Sequence, residues 1–204
     1  MDWLNSYGVR LLKPFSDRWF YGDALYIIDP ILYALFAGAI VFARRAARRG
    51  SAKPWRPART ALAIAAAYVA AMLMSNWWAR SEVHWQLQRA GRTDARFMVT
   101  PVLGNPFRRE VLVDVGARYE KGQLWFEPAP HFRPLGYGVD TNVSDPAVAK
   151  VLGLSRVQAF LMWSRFPFFV VERTADRSRV FVNDYRYSGP GGRDGWATQV
   201  FDVP

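Results

Sequence analysis

The sequence predicts an α+β membrane protein: two transmembrane helices followed by a small antiparallel-sheet domain with one or two helices. Three observations carry this. Apolar residues make up 51% of the chain, yet the mean hydropathy is only −0.08, because they gather into two long runs, 24–43 and 60–78, against a polar remainder. The interval between the runs, Arg44 to Arg59, holds seven basic residues and no acidic one. After Arg80 the pattern changes to short stretches rich in Val, Phe, Tyr and Leu, punctuated by Gly, Pro, Asn and Asp.

The first run, Ala24 to Ala43, has twenty residues. At ~1.5 Å per residue it reaches roughly 30 Å, the thickness of a bilayer's hydrocarbon core. Asp29-Pro30 interrupts it, and two readings stand. In one, a helix starts at Pro30 with Asp29 as its cap, and residues 24–28 lie at the interface. In the other, a kinked helix spans the whole run and holds Asp29 at membrane depth, where an ionisable side chain is a functional candidate. The second run, Thr60 to Trp78, has similar reach, and Trp77, Trp78 and Arg80 close it like an interfacial belt.

Loops rich in Lys and Arg stay in the cytoplasm. The interval 44–59 is therefore expected inside, with residues 1–23 and 81–204 both extracytoplasmic. In a bacterium this is a multi-pass protein of the inner membrane. The same interval holds seven of the ten net positive charges. A basic chain can be a nucleic-acid binder, but here the charge is confined to one short stretch whose only aromatic residue is Trp55. The expected partners are the lipid bilayer and its anionic phospholipid head groups, not nucleic acid. The absence of cysteine removes disulfides, thiolate metal sites and cysteine nucleophiles. Met1 is followed by Asp2 and a polar, aromatic stretch, which does not read as a cleavable signal.

Beyond the membrane, residues 81–92 read as an amphipathic helix with Val83, Leu87 and Ala90 on one face, His84 at its surface and Gly91 as its stop. Strands are expected over 97–102, 110–119 and 123–126, with a hairpin turn at Lys121-Gly122, a turn at Gly104-Asn105-Pro106 and a loop over 128–138. Ser144-Asp145-Pro146 starts a short helix that Gly153 ends, and Ser155 caps a second helix through Trp163. Strands 168–174, 179–187 and 196–203 follow. The first two are joined by a turn at 176–178, and the run 188–192 is a glycine-rich connection. The elements assemble into one antiparallel sheet of five or six strands with the helices on one face.

The catalytic inventory is thin. The two histidines, His84 and His131, are far apart, and no His-x-x-x-His, His-Glu-x-x-His, Gly-x-Ser-x-Gly or phosphate-binding loop occurs. Asp184 and Arg186, two apart on a strand, read as a surface ion pair. Trp163 to Pro167 reads as a helix-to-strand corner, with anion binding by Ser164 and Arg165 as the alternative.

One stretch is more specific. Asp2-Trp3-Leu4-Asn5-Ser6-Tyr7-Gly8, then Pro14-Phe15-Ser16-Asp17-Arg18 and Asp23 through Ile27-Ile28-Asp29-Pro30, resembles the bacterial membrane-bound metal-dependent hydrolase family, also described as inner-membrane-associated, LexA-binding hydrolases. Asn105-Pro106-Phe107-Arg108, Trp163 to Pro167 and Asp184-Tyr185-Arg186-Tyr187 extend the likeness through nearly the whole chain. The resemblance implies a divalent metal, zinc among the candidates, with Asp2 as a ligand, Asn5 as its neighbour, and Asp23 and Asp29 lining a catalytic site. The family's His-Arg-Gly and Thr-His-Ser boxes, and a further His one turn before the Asp matching Asp2, belong upstream of Met1. One carboxylate does not hold a catalytic zinc, which needs about three protein ligands. Two functional expectations result: the C-terminal portion of a membrane-bound metal-dependent hydrolase, incomplete as a catalyst, or a non-enzymatic inner-membrane protein whose outer domain binds a partner or packs in the envelope.

Overall fold

The computed structural model describes residues 2–174, 176–189, 195 and 198–203, with Asp2 described by its backbone alone. The chain divides into two compact units. One comprises residues 1–89, 98–111 and 123–132, the other 90–97, 112–122 and 133–204.

In the first unit, helix α1 runs from Pro30 to Arg48. It does not begin at Ala24, so of the two readings of Asp29-Pro30 the capped start is the one observed. Asp29 is extended (φ −84°, ψ 108°), and its Oδ1 accepts hydrogen bonds from the amides of Ile31 at 3.0 Å and Leu32 at 3.2 Å. Pro30 occupies the first turn, where an amide hydrogen would have no partner within the helix. Helix α2 is continuous from Arg56 to Arg89. It absorbs the expected span 60–78 and the separately expected helix 81–92 as far as Arg89, because Ala79 to Glu82 contains neither Gly nor Pro to break it. The basic interval is correspondingly shorter as a loop. Its ends are helical, and only residues 49–55 connect the two helices.

Both helices are long and apolar enough to cross a membrane, and only 11% and 17% of their most apolar windows are buried. The core helices of a water-soluble protein would hide such faces, whereas Ile40, Phe42, Leu62 and Met74 are exposed. The two helices meet along a narrow seam of Leu32, Ala65 and Met72, with Leu35, Phe36, Tyr68 and Val69 packed beside it. Ala39, Ala61 and Ala65 are buried, and small side chains let helices without a hydrophobic driving force approach closely.

Strands β1 (Phe97–Val102), β2 (Asn105–Asp114), β3 (Arg118–Phe126) and β4 (Pro130–Asp140) form a four-stranded meander in that order. Three expectations fail here. The hairpin turn between β2 and β3 lies at residues 115–117, not at Lys121-Gly122. Gly116 takes the left-handed conformation (φ 93°), and its amide donates to Asp114 Oδ1 at 2.9 Å. Lys121 is instead buried inside β3, with Nζ donating to the Ser188 carbonyl at 3.1 Å. Asn105 and Pro106 begin β2 rather than sitting in the turn, which Gly104 makes (φ 71°). The expected loop 128–138 is largely β4. Proline cannot donate to a strand ladder, but β4 is an edge strand and tolerates Pro130 and Pro134.

The second unit holds helices α3 (Pro146–Leu152) and α4 (Ser155–Trp163) and strands β5 (Pro167–Arg173), β6 (Ser178–Asp184) and β7 (Gln199–Val203). The strands form a separate antiparallel sheet, β5-β6-β7, so the single larger sheet is replaced by two. Phe169 pairs with Val182, and Val180 with Phe201. Val148, Val151, Val157 and Phe160 from the helices pack on Phe169, Val180 and Val182. Asp145 caps α3 as expected, accepting from the Ala147 amide at 2.9 Å, and Gly153 ends it. Ser155 is the first residue of α4, not its cap. Leu154 holds that position without a side-chain bond. The expected strand at 196–203 begins at Gln199; residues 196–197, and 190–192 of the glycine-rich connection, lie outside the described residues.

Asp184 and Arg186 are not a surface pair. The strand ends at Asp184, residues 185–187 turn into a 3-10 helix, and both side chains are almost wholly buried. The Asp184 carboxylate accepts from Ser164 Oγ at 2.5 Å, the Arg165 amide at 3.1 Å, the Arg186 amide at 3.0 Å and Arg186 Nη2 at 2.7 Å. The Arg186 guanidinium also lies 4.7 Å from the Trp163 ring and 4.9 Å from the Tyr187 ring. The anion that Ser164 and the Arg165 backbone bind is thus the chain's own carboxylate, which ties the α4–β5 corner to the end of β6.

Two predictions follow from the second unit. Asp184→Ala strands a buried guanidinium and is expected to cost about 3–5 kcal/mol of stability in chemical denaturation. Asp145→Ala is expected to cost about 1 kcal/mol at neutral pH through the lost cap. Its bond with Arg173 and its cap bonds hold the Asp145 carboxyl below the ordinary carboxylate value. The stabilisation is therefore complete above that ordinary value and is lost as pH falls through the lowered one. Wild type and Asp145→Ala should converge in stability once pH falls below that lowered value.

Candidate functional site

The polar residues of the first unit gather at the Pro30 end of α1. The amides of Ala24 and Leu25 both donate to the Leu4 carbonyl, at 2.8 and 3.0 Å, which lays residues 22–25 against the N-terminal segment. Gly22 is required there, because a Cβ would sit 2.5 Å from the Trp3 carbonyl oxygen and 2.6 Å from Leu4 Cα. Its own carbonyl accepts from Asn76 Nδ2 of α2 at 3.2 Å. The next residue, Asp23, is buried in a left-handed conformation (φ 51°), with Oδ2 4.0 Å from Arg80.

Asp29 follows six residues later in the chain. Its Oδ1 caps α1, and its Oδ2 accepts from the Tyr68 hydroxyl of α2 at 2.9 Å. One carboxylate therefore serves three donors and joins the two apolar helices. Asn5 is also committed, its Oδ1 accepting from the Tyr7 amide at 2.9 Å. Asn5 and Asp29 both line a cavity of about 410 Å³, walled by Leu25, Tyr26, Leu32 and Tyr33. Of the expected site residues, the structure brings Asn5, Asp23 and Asp29 into one unit, with Asn5 and Asp29 on one cavity and Asp23 directed to Arg80. The Asp2 side chain lies outside the described residues.

Asn5, Asp23 and Asp29 do not by themselves fit a divalent metal. Among the described residues, no group of three or more His, Asp or Glu is placed to hold one. The two carboxylates nearest in sequence to the expected site already answer to amides, a hydroxyl and a guanidinium. His84 and His131 are exposed and lie elsewhere in the chain.

Sequence reasoning missed four members of this region: Tyr68, Asn76, Arg80 and Arg109. Arg109 lies on β2 and is fully buried. Its Nη2 donates to Ser75 Oγ at 2.5 Å and approaches Met72 Sδ at 3.9 Å, while Nε and Nη1 find no partner among the described residues. Burial pushes its pKa down to about 10, so it stays charged at neutral pH. A signal existed: Phe107, Arg109, Val111 and Val113 alternate along β2, which puts Arg109 on an otherwise apolar face.

The Asp29–Tyr68 link makes a quantitative prediction. Tyr68→Phe should lower stability in detergent by about 1–2 kcal/mol, and Asp29→Ala, which also removes the cap, by about 2–3 kcal/mol. The double variant should cost less than the sum, since each change removes the same bond. Thermal unfolding of the four proteins measures this.

Comparison with known proteins agrees with part of this picture. Residues 1–79 match the family described as YdjM inner membrane protein. The matched segment covers the N-terminal polar region, α1 and most of the apolar part of α2, and ends before β1. The likeness expected through nearly the whole chain is thus found over this segment alone, and the family's description names a membrane and no reaction. No curated protein and no solved structure matches the chain.

Proposed function

We propose that this chain is an inner-membrane protein of the YdjM type whose two-helix hairpin anchors a strand-rich, partner-binding module, and that it does not act as a catalyst. The observation that carries this is the occupancy of Asp29. Both carboxylate oxygens are taken by the backbone and side chain of the hairpin itself. Such a carboxylate locks two helices: three donors hold its orientation and leave about one of its four lone-pair sites, whereas a general base or metal ligand directs its lone pairs at its substrate or ion. In this reading the basic residues at 44–59 face the cytoplasm and anionic head groups, and residues 81–204 are extracytoplasmic.

A second reading keeps the hydrolase. The cavity shared by Asn5 and Asp29 favours it, because it places two of the expected site residues on one concave surface. Here the chain is the C-terminal portion of a metal-dependent hydrolase, with Asp2 as one metal ligand, zinc or another divalent cation as cofactor, and Asp23 supporting the site.

Elemental analysis of the purified chain, together with assays on ester and phosphoester substrates, separates the two. The first reading expects no stoichiometric divalent metal and no turnover; metal-dependent turnover abolished by Asp2→Ala would establish the second. For topology, an alkaline phosphatase reporter fused after residue 100 should be active, and one fused at residue 52 inactive. The opposite pattern would reverse the orientation.

A further inference from the structure

An open cleft of about 690 Å³ runs along α2 between Tyr68 and Trp78, within the roughly 300–1,000 Å³ typical of ligand sites. Its walls are apolar: Ala71, Met74 and Trp77 from α2, then Phe107 and Phe126 from strands of the same unit and Pro128 from the β3–β4 connection. Met74 and Trp77 are about 70% exposed, so the cleft opens on the same surface that the apolar helix presents to its surroundings. Directly behind the wall lies Arg109. Its guanidinium is bonded to Ser75, a lining residue, and sits 5.9 Å from the ring of Phe126, another.

Arg109 is the anomaly. A buried cation is normally matched by a carboxylate, since desolvating it alone costs several kcal/mol. Among the described residues, the partners of Arg109 are a hydroxyl and a thioether, and two of its nitrogens have none. Apolar walls with an uncompensated cation behind them match a molecule that has a hydrocarbon tail and an anionic head.

We propose that this cleft binds an anionic phospholipid of the surrounding membrane. The acyl chain lies toward Tyr68 and Ala71, and the phosphate lies at the Ser75–Trp78 end, where it compensates Arg109. The proposal rests on the membrane reading above, because the bilayer supplies both the occupant and the route into the cleft. Trp77 and Trp78, at the head-group end, are the residue type that settles at that depth.

The test uses the full chain purified in zwitterionic detergent, titrated with phosphatidylglycerol or phosphatidylcholine and followed by thermal unfolding. Phosphatidylglycerol should raise Tm by about 5 °C more than phosphatidylcholine at saturation. In Arg109→Met, which replaces the unmatched charge by an apolar chain of similar reach, the unliganded Tm should hold or rise and the preference should vanish. Equal responses of the wild type to both lipids would overturn the proposal. So would a preference retained in Arg109→Met, since that assigns it to the basic residues at 44–59. If Arg109→Met does not fold, Ala71→Phe, which fills the tail end of the cleft, decides: loss of the preference supports the site and its retention refutes it. Carbonate washing of membranes runs in parallel. A chain that stays in the membrane but shows no preference loses only this inference, whereas a chain washed free loses the membrane reading as well.

Discussion

The Asp29 carboxylate is the interaction on which the rest of the hairpin depends. An α-helix begins with amides that have no partner within it, and a low-dielectric surround leaves no water to replace one. Asp29 answers two of these amides through Oδ1, and Pro30 removes the need for another. Its second oxygen reaches Tyr68 on α2. A single residue thus sets where α1 starts and which face of α2 it meets. The seam below can then be small and apolar, because the directional contact is made at one end.

Two buried cations show how differently this chain treats charge. Arg186 is matched: its carboxylate partner also accepts from Ser164 and two amides, and aromatic rings lie against the guanidinium. Everything there is satisfied within the fold, so its role is structural. Arg109 is equally buried, but among the described residues its hydrogen-bond partners are Ser75 and Met72, with the Phe126 ring 5.9 Å away. Burial without compensation destabilises the chain taken alone, and such a cost is retained where an outside group can offset it. The contrast is why the ligand is sought at Arg109 and not at the charged residues of the second unit.

The sequence made the apolar runs, the basic interval and the capped start of α3 legible because each depends on local composition or on one residue pair. Where it failed, the deciding contact was distant or a competing local signal prevailed. Lys121-Gly122 has the composition of a turn, but Gly116 takes the left-handed position, and Lys121 goes inside to the Ser188 carbonyl, 67 residues away. The prolines of β4 suggest loop, yet an edge strand accepts them. Asp184 and Arg186 looked like neighbours along a strand, because nothing local says that the strand stops at Asp184. In the candidate site, Asp29 was visible as an ionisable residue interrupting an apolar run, and Asn5 and Asp23 only through the family resemblance. Tyr68 and Asn76 were not, being ordinary residues within a helix whose partners lie 39 and 54 positions away.

The same contacts bear on what Asp29 can do chemically. To accept a proton from a substrate, or to bind a cation through Oδ2, it must share that oxygen with Tyr68 or release the hydroxyl to another acceptor. A lost bond of this kind costs about 1–3 kcal/mol where the donor is left without water. Using Oδ1 instead uncaps α1 and costs a similar amount. Chemistry at Asp29 would therefore compete with the contact that positions the two helices, and a substrate or ion that displaced a donor would have to return that free energy on binding. Arg109 carries no such conflict. Its Nε and Nη1, which have no partner among the described residues, lose nothing when an anion arrives, so binding there can strengthen the fold while binding at Asp29 competes with the bonds that hold it.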